Sequence, residues 1–200
     1  MASRFGTLAI LILSAAGGMA MEKAKKLIDQ IPTEVRDYLT AGDGLAKASV
    51  IEKYPNVEQT LHDPHVRAAI VEYLGSKEPW QDEPGFTANA LASLAPGASA
   101  KEAAIIRPLI KHPNPWVRLR VYEYMMAIHY PVRDQAAMVS LFQQMLVDGD
   151  EVVRVQGARW IQGLNLVQEM RPDLEQWMRM ASKRKWDHGE SFDLIQTMLH

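Results

Sequence analysis

Asp63-Pro64-His65-Val66-Arg67, Asn114-Pro115-Trp116-Val117-Arg118 and Asp150-Glu151-Val152-Val153-Arg154 align without a gap. The match continues downstream, where Glu72-Tyr73-Leu74 aligns with Glu123-Tyr124-Met125 and with Arg159-Trp160-Ile161. Each shared residue type has a helical reason. Asp or Asn accepts a hydrogen bond from the free N–H groups of a first helical turn. Proline directly afterwards sits at the first helical position, where its missing N–H costs nothing. The valine then opens a buried stripe: Val66, Ile70, Tyr73 and Leu74 in the first copy, Val117, Val121, Tyr124 and Met125 in the second, at the spacing of one helix face. In the third copy the stripe runs Val153, Gly157, Trp160, Ile161 and Leu164, and Gly157 leaves room for a neighbouring helix to come close. One helix is used three times.

Further helices lie between and after these. One reads from Val132 through Met138, Leu141, Phe142, Met145 and Leu146 to Asp148-Gly149. Ser99-Ala100-Lys101-Glu102 has the reciprocal capping-box pattern and opens a helix towards His112. Pro108 within it predicts a kink or an early stop. Asp173 to Ser182 reads as another helix, and Asp187-His188-Gly189-Glu190 as the start of a last one. No stretch alternates as a strand does, so the expected class is all-α. The copies start 51 and then 36 residues apart, and the longer interval is accounted for by residues 75–98, rich in proline and glycine and read as a long loop carrying a short helix near Thr87–Leu94.

An Asp/Asn-Pro-x-Val-Arg opening to the second helix of a pair resembles HEAT repeats, including the HEAT-like repeats of phycobilisome lyases. The resemblance covers residues 63–164, departing where Glu151 replaces the proline. It implies a short α-solenoid, a superhelix of HEAT-like hairpins of about 40 residues each. Residues 21–62 and 165–200 then serve as terminal capping units. It also implies that Arg67, Arg118 and Arg154 bond to acidic or carbonyl groups between neighbouring units. That gives Asp63, Val66, Arg67, Asn114, Val117, Arg118, Asp150, Val153 and Arg154 structural roles.

At about 100° per residue, the positions opposite the stripe lie one before the valine, two after it and six after it. These are His65, Ala68 and Glu72 in the first copy, Trp116, Leu119 and Glu123 in the second, and Val152, Val155 and Arg159 in the third. In a solenoid, second helices line the concave side. The expected groove therefore has an apolar centre of Trp116, Leu119, Val152 and Val155, rimmed by His65, Glu72, Glu123 and Arg159, which is the anatomy of a protein-binding surface. Trp116 packing beneath the long loop or against an adjacent unit is the competing reading.

Composition narrows the chemistry. The 200 residues are 48% hydrophobic and 23% charged, an ordinary globular mixture, and contain no cysteine, which excludes disulfide scaffolds, thiolate metal sites and cysteine nucleophiles. The six histidines are not clustered with other ligand types, and no HExxH occurs, so neither a metal nor a cofactor is expected. Ser182-Lys183-Arg184-Lys185 fits S-x-x-K without its companion motifs. Gly42-Asp43-Gly44 lacks the strand a phosphate loop requires and marks a helix boundary instead. The net charge of −2 argues against nucleic acid, although some DNA glycosylases resemble HEAT arrays of this size. The alternatives to a protein-binding scaffold are thus a HEAT-type enzyme or accessory factor, by lyase-like handling of a cofactor or, less favoured by charge, nucleic-acid binding.

Residues 1–20 differ from the rest. Arg4 is their only charge, and residues 5–21 are uncharged around Leu8-Ala9-Ile10-Leu11-Ile12-Leu13. This describes a signal peptide with small residues at Gly18 and Ala20, and its removal leaves a net charge of −3. A retained anchor is the rival, since Lys23, Lys25 and Lys26 resist translocation and Ser14 with Gly18 forms a small-xxx-small face. A buried terminal helix is the third reading. The expectation is a bacterial envelope location: exported to the periplasm, secreted, or membrane-anchored, with a cytoplasm-facing anchor also open.

Overall fold

In the computed structural model, which describes residues 27–76 and 84–200, each of the three aligned segments opens a helix. Eleven α-helices and no strand occur among the described residues: α1 (Thr33–Thr40), α2 (Gly44–Lys53), α3 (Val57–Leu61), α4 (Pro64–Gly75), α5 (Pro84–Leu94), α6 (Ala100–Ile106), α7 (Pro115–His129), α8 (Gln135–Leu146), α9 (Glu151–Gly163), α10 (Arg171–Ala181) and α11 (Glu190–Leu199). The protein is all-α. The apolar N-terminal segment, residues 1–20, lies outside the described residues. No described helix is long and apolar enough to cross a membrane. The chain divides into two compact units, residues up to Leu94 with Ala104–Pro108, and Ala95–Ala103 with Leu109–His200.

In the first unit α1 packs against α2, α3 and α5, and α4 against α3 and α5. Its core holds Val35, Leu39, Ile70, Tyr73, Leu74, Phe86, Leu91 and Leu94. Tyr73 and Phe86 meet edge to face, with ring centroids 5.3 Å apart. Asn89 of α5 donates to the Leu39 and Ala41 carbonyls at 2.8 and 3.2 Å and accepts from Lys47 Nζ at 3.1 Å. One amide thereby satisfies the open end of α1 and ties three helices together. Asp43 caps α2 by accepting from the Ala46 N–H, the helix boundary expected there. A Cβ on Gly75 would overlap Ile105 Cγ2, so this close approach requires glycine. The short helix expected near Thr87–Leu94 within 75–98 is present as α5 and starts earlier, spanning Pro84–Leu94, with a 3-10 turn following at Ala95–Gly97. Its apolar face of Phe86, Ala90, Leu91 and Leu94 is buried, and that burial outweighs the turn-forming Pro84-Gly85.

In the second unit α9 packs against α7 and also against α11. α8 packs against α7 and α9, and α10 against α11. The Trp177 indole of α10 donates to the Leu146 carbonyl of α8 at 2.6 Å, within a buried site. Gly157 of α9 faces Met145 of α8, and a Cβ there would lie 2.9 Å from Met145 Cβ, the close helix approach expected at that glycine.

Helix ends refine the sequence reading. α8 begins at Gln135 rather than Val132, with the Asp134 side chain accepting from the Ala137 N–H; Val132 is 72% exposed. The residues before Asp134 belong to the closure of α7. There Asp134 N–H bonds the His129 carbonyl and Arg133 N–H the Tyr130 carbonyl, a Schellman pair around Arg133, whose φ is 53°. The same two bonds close α9 around Asn165, from Leu166 to Ile161 and from Asn165 to Gln162. They also close α10 around Lys185, from Trp186 to Ala181 and from Lys185 to Ser182. Every non-glycine residue of positive φ among the described residues therefore occupies the left-handed position of such a closure. α6 stops at Ile106, two residues before Pro108, and continues as a 3-10 turn over Arg107–Lys111. At its start Ser99 Oγ accepts from the Glu102 N–H, while the Glu102 carboxylate takes the hydroxyls of Ser99 and Tyr124.

Candidate functional site

The caps and arginines of the repeats form the frame on which the candidate face is carried. Asp63 accepts from the His65 and Val66 N–H groups, Asn114 from Trp116 and Asp150 from Val152. The valines that follow, Val66, Val117 and Val153, are all buried. Two residues upstream of two of the caps stands a second acceptor: His112 Nδ1 receives the Asn114 N–H and Asp148 Oδ1 receives the Asp150 N–H, at 3.0 and 2.8 Å.

The arginines turn back onto this same linker. Arg118 donates to the His112 carbonyl and Arg154 to the Asp148 carbonyl, each across six residues and each at 2.8 Å. Arg118 also forms a fork with the Asp148 carboxylate, at 2.8 and 2.6 Å, and so binds the second copy to the third. Arg67 donates to the Leu94 carbonyl at 3.0 Å. Arg154 is buried, paired with Glu151, and lies 4.2 Å over the Trp186 ring, which Arg184 also approaches.

Glu151, which interrupts the proline pattern, has a reason to do so. Gly189 at the start of α11 offers no side chain, and Asp187 supplies no cap there; instead Glu151 receives the Ser191 N–H at 2.8 Å and the Ser191 hydroxyl at 3.1 Å. Burial alone would raise the Glu151 carboxyl, but the Ser191 N–H, the Arg154 guanidinium and the Ser191 hydroxyl together hold it below the ordinary glutamate value. Burial, aided by the Asp148 charge, pushes the Tyr122 phenol up to about 12, against the opposing pull of Arg118.

The expected groove residues divide by unit and by depth. His65 and Glu72 are exposed on α4 of the first unit. In the second unit Trp116, on the first turn of α7, is 53% exposed, and Val152, on the first turn of α9, is partly exposed. Leu119 and Val155 are buried, on two helices that pack against each other. They are not part of the exposed surface. Glu123 is held by Arg120 of its own helix, and Arg159 pairs with Glu190 of α11 at 2.5 Å. Of the expected groove's apolar residues, Trp116 and Val152 therefore retain exposed surface, each on the first turn of a capped helix.

Sequence reasoning assigned no bond to Glu151 or His112 and read Asp148, with Asp150, only as an acid capping the Gly149 turn. Extending the repeat alignment two residues upstream would have paired His112 with Asp148 as side-chain acceptors. The role of Glu151 depends on a helix forty residues away and has no local signal. Among the described residues no three histidines or carboxylates are grouped to hold a metal. The chain matches no protein-family model, no curated protein and no solved structure.

Proposed function

We propose that this protein is a short HEAT-like array that binds another protein, without chemistry of its own, through the first turns of its second helices. The observation that carries the reading is the half-exposed Trp116 indole on a rigid frame. Its helix start is fixed by Asn114, and the same first turn carries the Arg118–Asp148 fork and the buried Val117 and Leu119. A large aromatic held rigid in this way loses little freedom on binding and becomes an anchor for a partner's apolar residue. The recurrence of cap, valine and arginine, together with the row α7–α9–α11, supports the solenoid reading within the second unit. The apolar segment at residues 5–21 supports delivery of this domain to the bacterial envelope, either released or tethered.

A photo-crosslinking residue placed at 116 or 152 in cells should yield one and the same crosslinked protein. The same probe at Gln168, exposed in the loop after α9, should not. Mass spectrometry of that product reports partner and compartment together. Identical products from all three positions, or none from 116 and 152, would refute the proposal.

A further inference from the structure

At the opposite end of the same helices lies an open cleft of about 830 Å³, lined by Tyr130, Arg133, Gln135, Met138, Asn165 and Leu166 among others. Its origin is an unequal helix length. α7 spans 15 residues and α9 spans 13, and the closure of α7 runs on through Tyr130-Pro131-Val132-Arg133 before α8 begins. The closure of α9 stops short of this overhang. The two walls are the Schellman turns around Arg133 and Asn165, each held by two backbone hydrogen bonds, so the opening exists without a ligand to order it.

The chemistry of the lining is one-sided. Arg133 is its only charged residue, and among the described residues its guanidinium makes no ion pair. Tyr130, 57% exposed, offers an aromatic ring, Met138 and Leu166 an apolar floor, and Asn165 an amide. Two carboxylates adjoining the lining in sequence or by a hydrogen bond are engaged elsewhere: Asp134 by the Ala137 N–H and by His129 at 3.2 Å, and Glu169 by the Gln135 amide. A free guanidinium above an apolar floor suits a carboxylate attached to an apolar group. Arg133 also occupies a left-handed position that glycine fills more easily, with φ at 53°.

We infer that this cleft binds a short peptide segment through its carboxylate, with Arg133 as the anion-binding residue and Tyr130, Met138 and Leu166 receiving the neighbouring apolar side chain. The site is independent of the Trp116 face, which lies about 20 Å away along α7.

The test uses the full-length chain and N-acetyl-leucyl-phenylalanine, its C-terminal amide, and acetate as probes, followed by amide chemical shifts. The acid should move resonances in residues 130–138 and 163–166 and bind at least about tenfold tighter than the amide, the worth of one charge-assisted pair. Arg133→Gly keeps the left-handed turn and removes only the cation, so it should abolish the preference for the acid while the thermal melt stays intact. Trp116→Ala should leave the preference unchanged. Equal binding of acid and amide, no shifts in these residues up to about 10 mM peptide, or acetate binding as tightly as the peptide would overturn the inference.

Discussion

Replacing Glu151 by proline would restore the repeat pattern of Pro64 and Pro115, and on sequence grounds alone it should stabilise the chain. Proline at a first helical position typically contributes about 0.4–1 kcal/mol by restricting the unfolded chain. The structure reverses the sign. Glu151 is the cap of α11, receiving both the N–H and the hydroxyl of Ser191, and loss of a cap costs about 1 kcal/mol. It is also the carboxylate partner of Arg154, whose side chain is 5% exposed. Removing one partner of a fully buried pair costs about 3–5 kcal/mol. Here Glu151 is 38% exposed and Arg154 retains the Asp148 carbonyl and the Trp186 ring, so about 1–2 kcal/mol is the fitting figure. The balance is a net loss of about 1–2 kcal/mol, or a fall in Tm of about 3–6 °C for a chain of this size. Urea denaturation measures the total, and hydrogen exchange should place the loss in α11. A Glu151→Pro protein as stable as the parent, or one whose extra exchange lies outside α11, would refute this account of why the third copy departs from its siblings.

Other consequences can be measured alongside it. The Glu151 carboxyl sits below its ordinary value of 4.5 when folded, so its contribution is complete above that pH and is lost as pH falls through the lower folded value. Protection of the first turn of α11 should therefore decline on acidification below about pH 4.5, and Glu151→Gln should flatten that decline. Asp148→Ala, which strips the fork from Arg118 where the two side chains are 13% and 8% exposed, should cost about 3–4 kcal/mol in urea denaturation. The apolar pair Arg118→Met with Asp148→Leu should recover much of that, and no recovery would count against desolvation as the cause. Lys185→Gly relieves a left-handed lysine with φ at 57°, and the gain of about 1–2 kcal/mol less glycine's entropic cost leaves a net stabilisation of about 0.5 kcal/mol, to be read from the denaturation midpoint.

What was legible in the sequence is what a single turn of helix can specify. Asp63, Asn114 and Asp150 announce helix starts because a cap bonds only to residues two or three ahead, and the buried valines follow from periodicity in the same helix. Gly157 was readable because a missing side chain in an apolar stripe has few other uses. Failures occurred wherever a neighbour in space decided. Val132 looked like the first apolar position of α8, yet the Schellman closure of α7 claims that stretch and leaves Val132 in water. Asp187 looked like the cap of α11, and Glu151 of another helix does that work. Leu119 and Val155 face away from the stripe on an isolated helical wheel, but a helix in a row has neighbours on both flanks, so two faces are buried and only the outermost arc stays exposed.

Asp148 shows why these local errors do not disturb the architecture. Its carboxylate forks onto Arg118 of the second copy, its Oδ1 also receives the Asp150 N–H that sets the third copy's cap, and its carbonyl receives Arg154 of the third copy. One linker residue thus joins the start of α7 to the start of α9. The linkage acts at the helix starts that carry Trp116 and Val152, so their spacing is fixed by hydrogen bonds beneath them while the surface residues remain free to vary. Substitutions at 116 and 152 should therefore leave the helix starts intact, because the residues that hold them, Asn114, Arg118, Asp148 and Asp150, are others. The recurrence of Val-Arg beside the variation of His65, Trp116 and Val152 follows from this division: each valine is buried and each arginine bonds a backbone carbonyl, whereas the residue before the valine keeps surface in contact with water.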